Sequence, residues 1–368
     1  MEVAAERLAP LRRGWTTGAC AAAASRAAYQ ALLSGHFPDP VSITLPGGAH
    51  PAFALALCDL QDGCARAGIV KDAGDDPDVT HGALIIVTVR RGVAGSGVQF
   101  RAGEGVGTVT LPGLPLPPGE PAINPVPRGM IRAEIAEVAA AHGGSGDVLV
   151  EISIRDGENL AKRTLNGRLG IVGGLSVLGT TGIVVPFSCA AWIDSIHRGI
   201  DVARAAGIAH IAGATGNTSE TAVAALHGLK DQALVEMGDF VGGMLKYLRR
   251  HPVPKVSIAG GMAKLSKLAQ GLLDLHSGRG EVDLAFLASG ALAAGGDEAL
   301  AARILASNSA MEAFAHAREA GVDLAVWVVR AAWRTAAGLL SGSGIALEIV
   351  MFDRGGKLLA STGFESTH

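Results

Sequence analysis

Hydrophobic and polar positions alternate in two different rhythms along this chain. The first 155 or so residues mix one long apolar stretch with short alternating segments. GACAAAASRAAYQALL follows Thr16 and Thr17 and is rich in alanine, the strongest helix former, with a threonine available as N-cap. It predicts a helix over 18–33, stopped by Gly35 and Pro38. Short β-rich runs at 41–45, 52–57, 83–89 and 98–102 are separated by Gly, Pro and Asp clusters, as strands joined by turns are. An amphipathic helix over 131–142 and a strand over 148–154 complete a predicted α+β domain.

Past about residue 188 the rhythm is helix and strand in alternation. Helices are expected at 188–205, 219–227, 240–249 and 262–272, and strands at 208–213, 234–237 and 256–260. This alternation is the pattern of a parallel sheet with crossover helices. A mostly helical stretch over 283–340 and two returning strands, 345–352 and 357–362, end the chain. The predicted fold class is therefore mixed α/β (α+β overall), with an α+β domain over 1–168 and a mostly parallel-sheet α/β domain over 169–368. The boundary between them is soft, because no low-complexity linker marks it.

Between the two rhythms lies LGIVGGLSVLGTTGIVVP (169–186), and no charged side chain occurs from Leu169 to Ile193. A run this long suggests a membrane span. Gly170, Gly173, Gly174, Gly179 and Gly182 argue against it, since each weakens a helix by about 1 kcal/mol. An irregular backbone closely approached by a ligand is the better expectation.

Composition narrows the classes of function. The 368 residues carry a formal net charge of −3, so no basic excess exists to bind nucleic acid, and no basic run marks a membrane surface. The opening MEVAAERLAPLRRGW has early acids and no apolar core, unlike a secretory leader. Cys20, Cys58, Cys64 and Cys189 are scattered without a CxxC pair, which argues for a reduced, cytoplasmic protein and against a bound metal.

Four groups of residues are candidates for chemistry. Asp72, Asp75, Asp76 and Asp78 crowd the loop KDAGDDPDVTHG (71–82). They suit a base, a cation or a ligand's N–H groups, although an ordinary solvated turn uses the same residues, and their mutual repulsion needs an offset. GEGVGTVTLPG (103–113) has the glycines of a cofactor loop, but no helix is expected after it to meet a phosphate, so it reads as a turn. Arg128, Lys162, Arg163 and Arg168, with Asn124 and Asn166, suit a ligand with several carboxylates. Lastly, IAGATGNTSE (211–220) and IAGGMAKL (258–265) place glycines at the ends of two strands, where open α/β sheets bind ligands. His276 lies beside Asp274 and Ser277, but without a nucleophile elbow it is a structural or ligand-contact residue.

Several of these stretches resemble one family. WTTGACAAAA (15–24), KDAGDDPDVTHG, GEGVGTVTLPGL (103–114), GEPAINPVPRGMI (119–131), LGIVGGLSVLGTTGIVVP, AGGMAKLSKLAQG (259–271) and the His276–Ser277 pair are similar to motifs of the cobalt-precorrin-5B (C1)-methyltransferases of anaerobic cobalamin biosynthesis. The resemblance spans about Arg13 to His276. It implies transfer of a methyl group from S-adenosylmethionine to ring carbon C1 of a cobalt-containing tetrapyrrole, giving cobalt-precorrin-6A, with no metal held by the protein. It also implies roles: Asp72, Asp75 and Asp76 as catalytic residues that stabilise charge on substrate or sulfonium or take a ring proton; Asn124, Arg128, Lys162, Arg163, Arg168 and His276 at the substrate ring; and Gly173, Gly174, Thr180, Thr181, Gly213, Gly216, Asn217, Gly260 and Lys264 around the methyl donor. A homo-oligomer and contacts with neighbouring enzymes of the pathway are further expected partners.

The chain departs from the family's pattern at three places. GHxGK becomes Gly260–Gly261–Met262–Ala263–Lys264, NTHS becomes Asp274–Leu275–His276–Ser277, and VEPMSE becomes Val184–Val185–Pro186–Phe187–Ser188–Cys189. A histidine and two glutamates are thereby absent, which marks a divergent member and keeps a cobalt-free ring open as substrate. Two other readings stand beside the methyltransferase: a carrier that only holds a corrinoid intermediate, and a dinucleotide-dependent oxidoreductase suggested by GEGVG.

Overall fold

The computed structural model describes residues 10–367, so most of the opening segment judged unlike a leader lies outside the described residues.

Helix α1 (Thr17–Ser34) forms as its composition dictates. Thr16 Oγ1 accepts a hydrogen bond from the Ala19 amide at 3.2 Å, and Gly35 closes the helix in the left-handed region. Its alanines are buried because they let the helix lie close against the sheet. That sheet contains β1 (Leu57–Gln61), β2 (Cys64–Val70), β3 (Leu84–Arg91), β4 (Val98–Ala102) and β5 (Val148–Ile154), in the order β1-β2-β3-β5-β4. All neighbours are antiparallel except β5 and β4. Helix α2 (Pro125–His142) packs on α1. It begins six residues earlier than the sequence pattern predicts, since prolines are tolerated in a first turn whose amides have no helical partner.

The contacts divide the chain into Met1–Ser188 and Cys189–His368. The glycine-rich segment, expected to open the second domain, is built into the first unit. Ile171–Val172 pairs with Thr108–Val109, Gly174–Leu175 with Gly105–Val106, and Ile183–Val184 with Gly14–Trp15. Gly174 has φ +159°, and a Cβ there would stand 2.3 Å from the Gly105 carbonyl carbon, so only glycine permits this pairing.

In the second unit, α3 (Cys189–Ala205), β6 (His210–Ala214), α4 (Asn217–His227), β7 (Leu234–Glu236), α5 (Val241–Arg250), β8 (Lys255–Gly261) and α6 (Met262–Ala269) alternate as predicted. Helices α7 (Leu284–Ala293), α8 (Glu298–Leu305), α9 (Ala310–Glu319) and α10 (Leu324–Leu340) then lead to β9 (Ala346–Phe352), β10 (Leu358–Ser361) and a last paired segment, Glu365–Ser366. The strand order is β7-β6-β8-β9-β10; the first four are parallel and β10 returns antiparallel. The order reverses between β6 and β8, which makes their C-terminal ends a topological switch point. Among the described residues no helix is long and apolar enough to cross a membrane, and no group of three or more His, Cys, Asp or Glu could hold a metal ion.

Candidate active site

At the switch point of the second unit a cavity of about 330 Å³ opens. Three loops line it, each leaving the C-terminal end of a parallel strand: Thr215–Ser219 after β6, Gly261–Lys264 after β8, and Phe352–Arg354 at the end of β9, with Met311 alongside. Helices α4 and α6 start at this cavity. Their N-caps are Gly216 and Gly261, and neither carries a side-chain cap, so first-turn amides lack the side-chain acceptor that α1 and α7–α10 have. Two such termini give the cavity the partial positive charge that draws a carboxylate or phosphate.

Of the expected donor-binding residues, Gly216, Asn217 and Lys264 line this cavity. The Lys264 ammonium is held by Asp239 and by the Leu275 carbonyl at 3.0 Å. Gly213 and Gly260 lie behind the lining. A Cβ on Gly213 would sit 2.4 Å from Met244 Sδ, and one on Gly260 3.0 Å from Thr215 Oγ1, so these glycines serve close packing of the strands. Phe352, Asp353, Arg354 and Met311 lie outside the stretches singled out from the sequence; the end of a strand followed by Asp353–Arg354–Gly355–Gly356 is the available signal. His276 is exposed, and its Nδ1 accepts from the Gly278 amide at 3.1 Å, capping its own turn.

The first unit gathers another set. The acidic loop meets the residues before α1 and the end of the glycine-rich segment. Arg12 forms a two-pronged ion pair with Asp72, and its backbone amide donates to Asp75 Oδ2 at 2.6 Å. Asp78 pairs with the buried Lys71, which also donates to Thr80. Asp76 Oδ1 accepts from the Phe187 amide at 2.8 Å. The repulsion among four acids is thus offset by Arg12, Lys71 and backbone amides. Hydrogen bonding from Arg12 pulls the Asp72 carboxyl down to about 2, with the Gly74 amide helping. Burial pushes the nearby Cys20 thiol up to about 12, which leaves it inert at neutral pH.

The glycine-rich segment threads between these groups. The Gly18 and Thr16 amides donate to the Leu178 and Gly182 carbonyls at 2.8 and 3.0 Å, and Asn124 N–H to the Val177 carbonyl at 3.1 Å. Thr180 and Thr181 are exposed here, as is Gly173; Thr181 Oγ1 bonds its own turn at Ile183. Buried Asn166 donates to the Gly174 carbonyl at 3.2 Å and fixes the segment from behind.

The expected ring-binding cations divide. Arg128 is committed to its own loop, donating to the carbonyls of Ile123 and Pro121 and to Glu120. Lys162 and Arg163 are exposed, with Lys162 donating to Asn159 at 2.9 Å; Arg168 is partly buried. Of the glycines at 103, 105 and 107 only Gly105 lies in a short strand, Gly105–Val106, and no helix follows before Pro125, so the oxidoreductase reading loses its phosphate loop.

Comparison with known proteins gives one consistent result. Residues 4–186 match the family model CbiD, and residues 274–363 match the model of the CbiD C-terminal domain. A protein of Bradyrhizobium sp. is 63% identical over 95% of this chain and 93% of its own length. One from Agrobacterium fabrum is 62% identical over 97% and 94%, and one from Methylorubrum extorquens 60% over 95% and 97%. Each of the three bears the name cobalt-precorrin-5B C(1)-methyltransferase. A crystal structure of a cobalamin biosynthesis protein (cbiD) from Archaeoglobus fulgidus is 25% identical over 85% of each chain, with a TM-score of 0.39.

Proposed function

This chain belongs to the CbiD family, and on that footing we propose that it methylates carbon C1 of cobalt-precorrin-5B with S-adenosylmethionine as methyl donor. The observation that carries the assignment of a donor site is the cavity at the switch point. Its volume falls in the usual range for small-molecule sites, about 300–1,000 Å³. The donor's chemistry fits the lining: a carboxylate suits the first-turn amides of α4 and α6, an ammonium or ribose hydroxyls suit Asp353, and thioether and adenine suit Met262, Met311 and Phe352.

The donor supplies a methyl group already activated as a sulfonium. What remains for the protein is to hold the reacting carbon in line and keep water out. We assign ring binding to the glycine-rich surface of the first unit, with Lys162, Arg163 and Arg168 as partners for peripheral carboxylates. Asp72, held ionised by Arg12, supplies fixed negative charge. At so low an affinity for protons it makes a poor general base at neutral pH. Four cysteines outside any disulfide fit a cytoplasmic protein.

Incubation with methyl-labelled S-adenosylmethionine and cobalt-precorrin-5B tests the function. Transfer of one methyl to the ring supports it. Tight ring binding with no transfer from the donor would make the protein a carrier. A cobalt-free ring run in parallel decides whether the metal is needed.

A further inference from the structure

Phe187 stands where neither packing nor backbone preference would put it. Its φ is +54°, a left-handed conformation that suits glycine or asparagine and disfavours a bulky side chain. Its ring is 67% exposed, so burial does not compensate for that conformation. The backbone is held there by Asp76, whose Oδ1 accepts the Phe187 amide from 111 residues away. Leu178, Val185 and Val172 of the same uncharged segment are also exposed. Val185 is two residues from Phe187, and large apolar side chains left in solvent on one short segment mark a binding surface more often than a solvated one.

Charge on the rim says what the surface takes. Gly14 pairs with Val184 and Trp15 with Ile183 in antiparallel register. The exposed Arg13 directly precedes Gly14, whose partner Val184 is three residues before Phe187. An apolar surface edged by a guanidinium matches a flat conjugated ring with carboxylates at its periphery.

We propose that Phe187 is the platform on which the tetrapyrrole face rests, that Arg13 meets one of its carboxylates, and that Asp76 is a positioning residue holding Phe187 in place. The inference rests on the proposed function for the identity of the ring. It changes the part Asp76 plays: the carboxylate accepts a backbone N–H rather than a ring proton.

The test is titration of cobalt-precorrin-5B into the full-length protein, read by the ring's visible absorbance, with methyl transfer and thermal unfolding measured on the same variants. Phe187→Ala weakens ring binding about tenfold, the scale of one lost aromatic face, and leaves the KM for S-adenosylmethionine unchanged. Phe187→Gly raises the unfolding temperature, because glycine accepts the left-handed backbone, yet weakens ring binding as the alanine variant does; a purely structural role would not separate the two. Asp76→Ala loses ring affinity, and Asp76→Asn, whose amide oxygen accepts the same N–H, restores it.

Unchanged ring affinity in both Phe187 variants overturns the proposal. So does a change in oligomeric state with ring affinity intact, which would place a second copy on this face. Loss of turnover in Asp76→Asn with ring binding intact would make Asp76 the proton-moving group instead. A wild-type protein that binds the ring through Phe187 but transfers no methyl would remove the methyltransferase reading and leave this platform standing.

Discussion

Truncation of Glu348 is the sharpest test of how the second unit is held together. This carboxylate lies on β9 and is only 4% exposed. Oε2 accepts from Ser257 Oγ at 2.8 Å and meets His227 Nε2 at 2.7 Å, while Oε1 accepts from Ser361 Oγ at 2.8 Å. It therefore ties β8, β10 and α4 to β9. Glu348→Ala takes from the fully buried Ser257 hydroxyl its charged acceptor and leaves it His210 Nε2 at 2.9 Å, at a cost of about 1.5–3 kcal/mol for the lost charged hydrogen bond. His227 and Ser361 are partly exposed and recover water, so each loses about 1 kcal/mol. Relief from burying the charge offsets part of the sum, and the net loss is about 3 kcal/mol. Glu348→Gln keeps the shape and some acceptor capacity and costs about 1–2 kcal/mol. Urea unfolding with hydrogen exchange at the β9 amides reads both values. A loss below about 1 kcal/mol for the alanine variant would show that the cluster behaves as a solvated pair, and the reasoning would be wrong.

The neighbouring His210 predicts a pH dependence of opposite origin. Burial, with His227 and Lys255 adding to it and Glu348 opposing, lowers its pKa to about 4 from 6.5. The fold therefore favours neutral His210: this contribution to stability is present above pH 6.5 and is lost as pH falls through about 4. Because the ring is partly exposed, screening reduces the effect to about 1 kcal/mol, and His210→Gln should flatten that part of the pH–stability curve. Gly174→Ala should destabilise the first unit by more than about 4 kcal/mol, since a Cβ there meets Gly105 backbone at 2.3 Å; circular dichroism during thermal unfolding checks it. Gly261→Asp has room, with nothing nearer its Cβ than the Phe352 carbonyl at 3.9 Å. It should cap α6 and raise stability by about 0.5–1 kcal/mol, while its carboxylate repels the donor's and weakens S-adenosylmethionine binding in calorimetry.

The long periodic elements of this fold were legible in the sequence because each carries its own local cause. Helix α1 follows from alanines between Thr16 and Gly35, and the alternation from 189 onward fixes the parallel sheet and the two strand–loop–helix junctions that meet at the cavity. Strand β2 was missed even though Asp62–Gly63, with Gly63 at φ +70°, is a strong hairpin signal; its run CARAGIV was too short and mixed to stand alone. The glycine-rich segment could not be assigned to a domain, because its partners, Gly14–Trp15 and residues 105–109, lie 62 to 170 residues away in sequence and nothing local encodes the pairing. The same holds for the acids of 71–82. Their crowding is visible in the sequence, but Arg12, 60 residues from Asp72, and the Phe187 amide, 111 from Asp76, become their partners only in the fold. Arg128 sits among the motif residues and is nonetheless used to hold its own loop.

The most direct test of the central claim is the position of the transferred carbon. The purified protein is incubated with S-adenosylmethionine carrying a ¹³C-methyl group and with cobalt-precorrin-5B, and the product is read by mass and by carbon NMR. One labelled methyl on C1, dependent on the enzyme, is the predicted result. Label at another ring carbon, or a ring that stays bound and unmethylated, would contradict it.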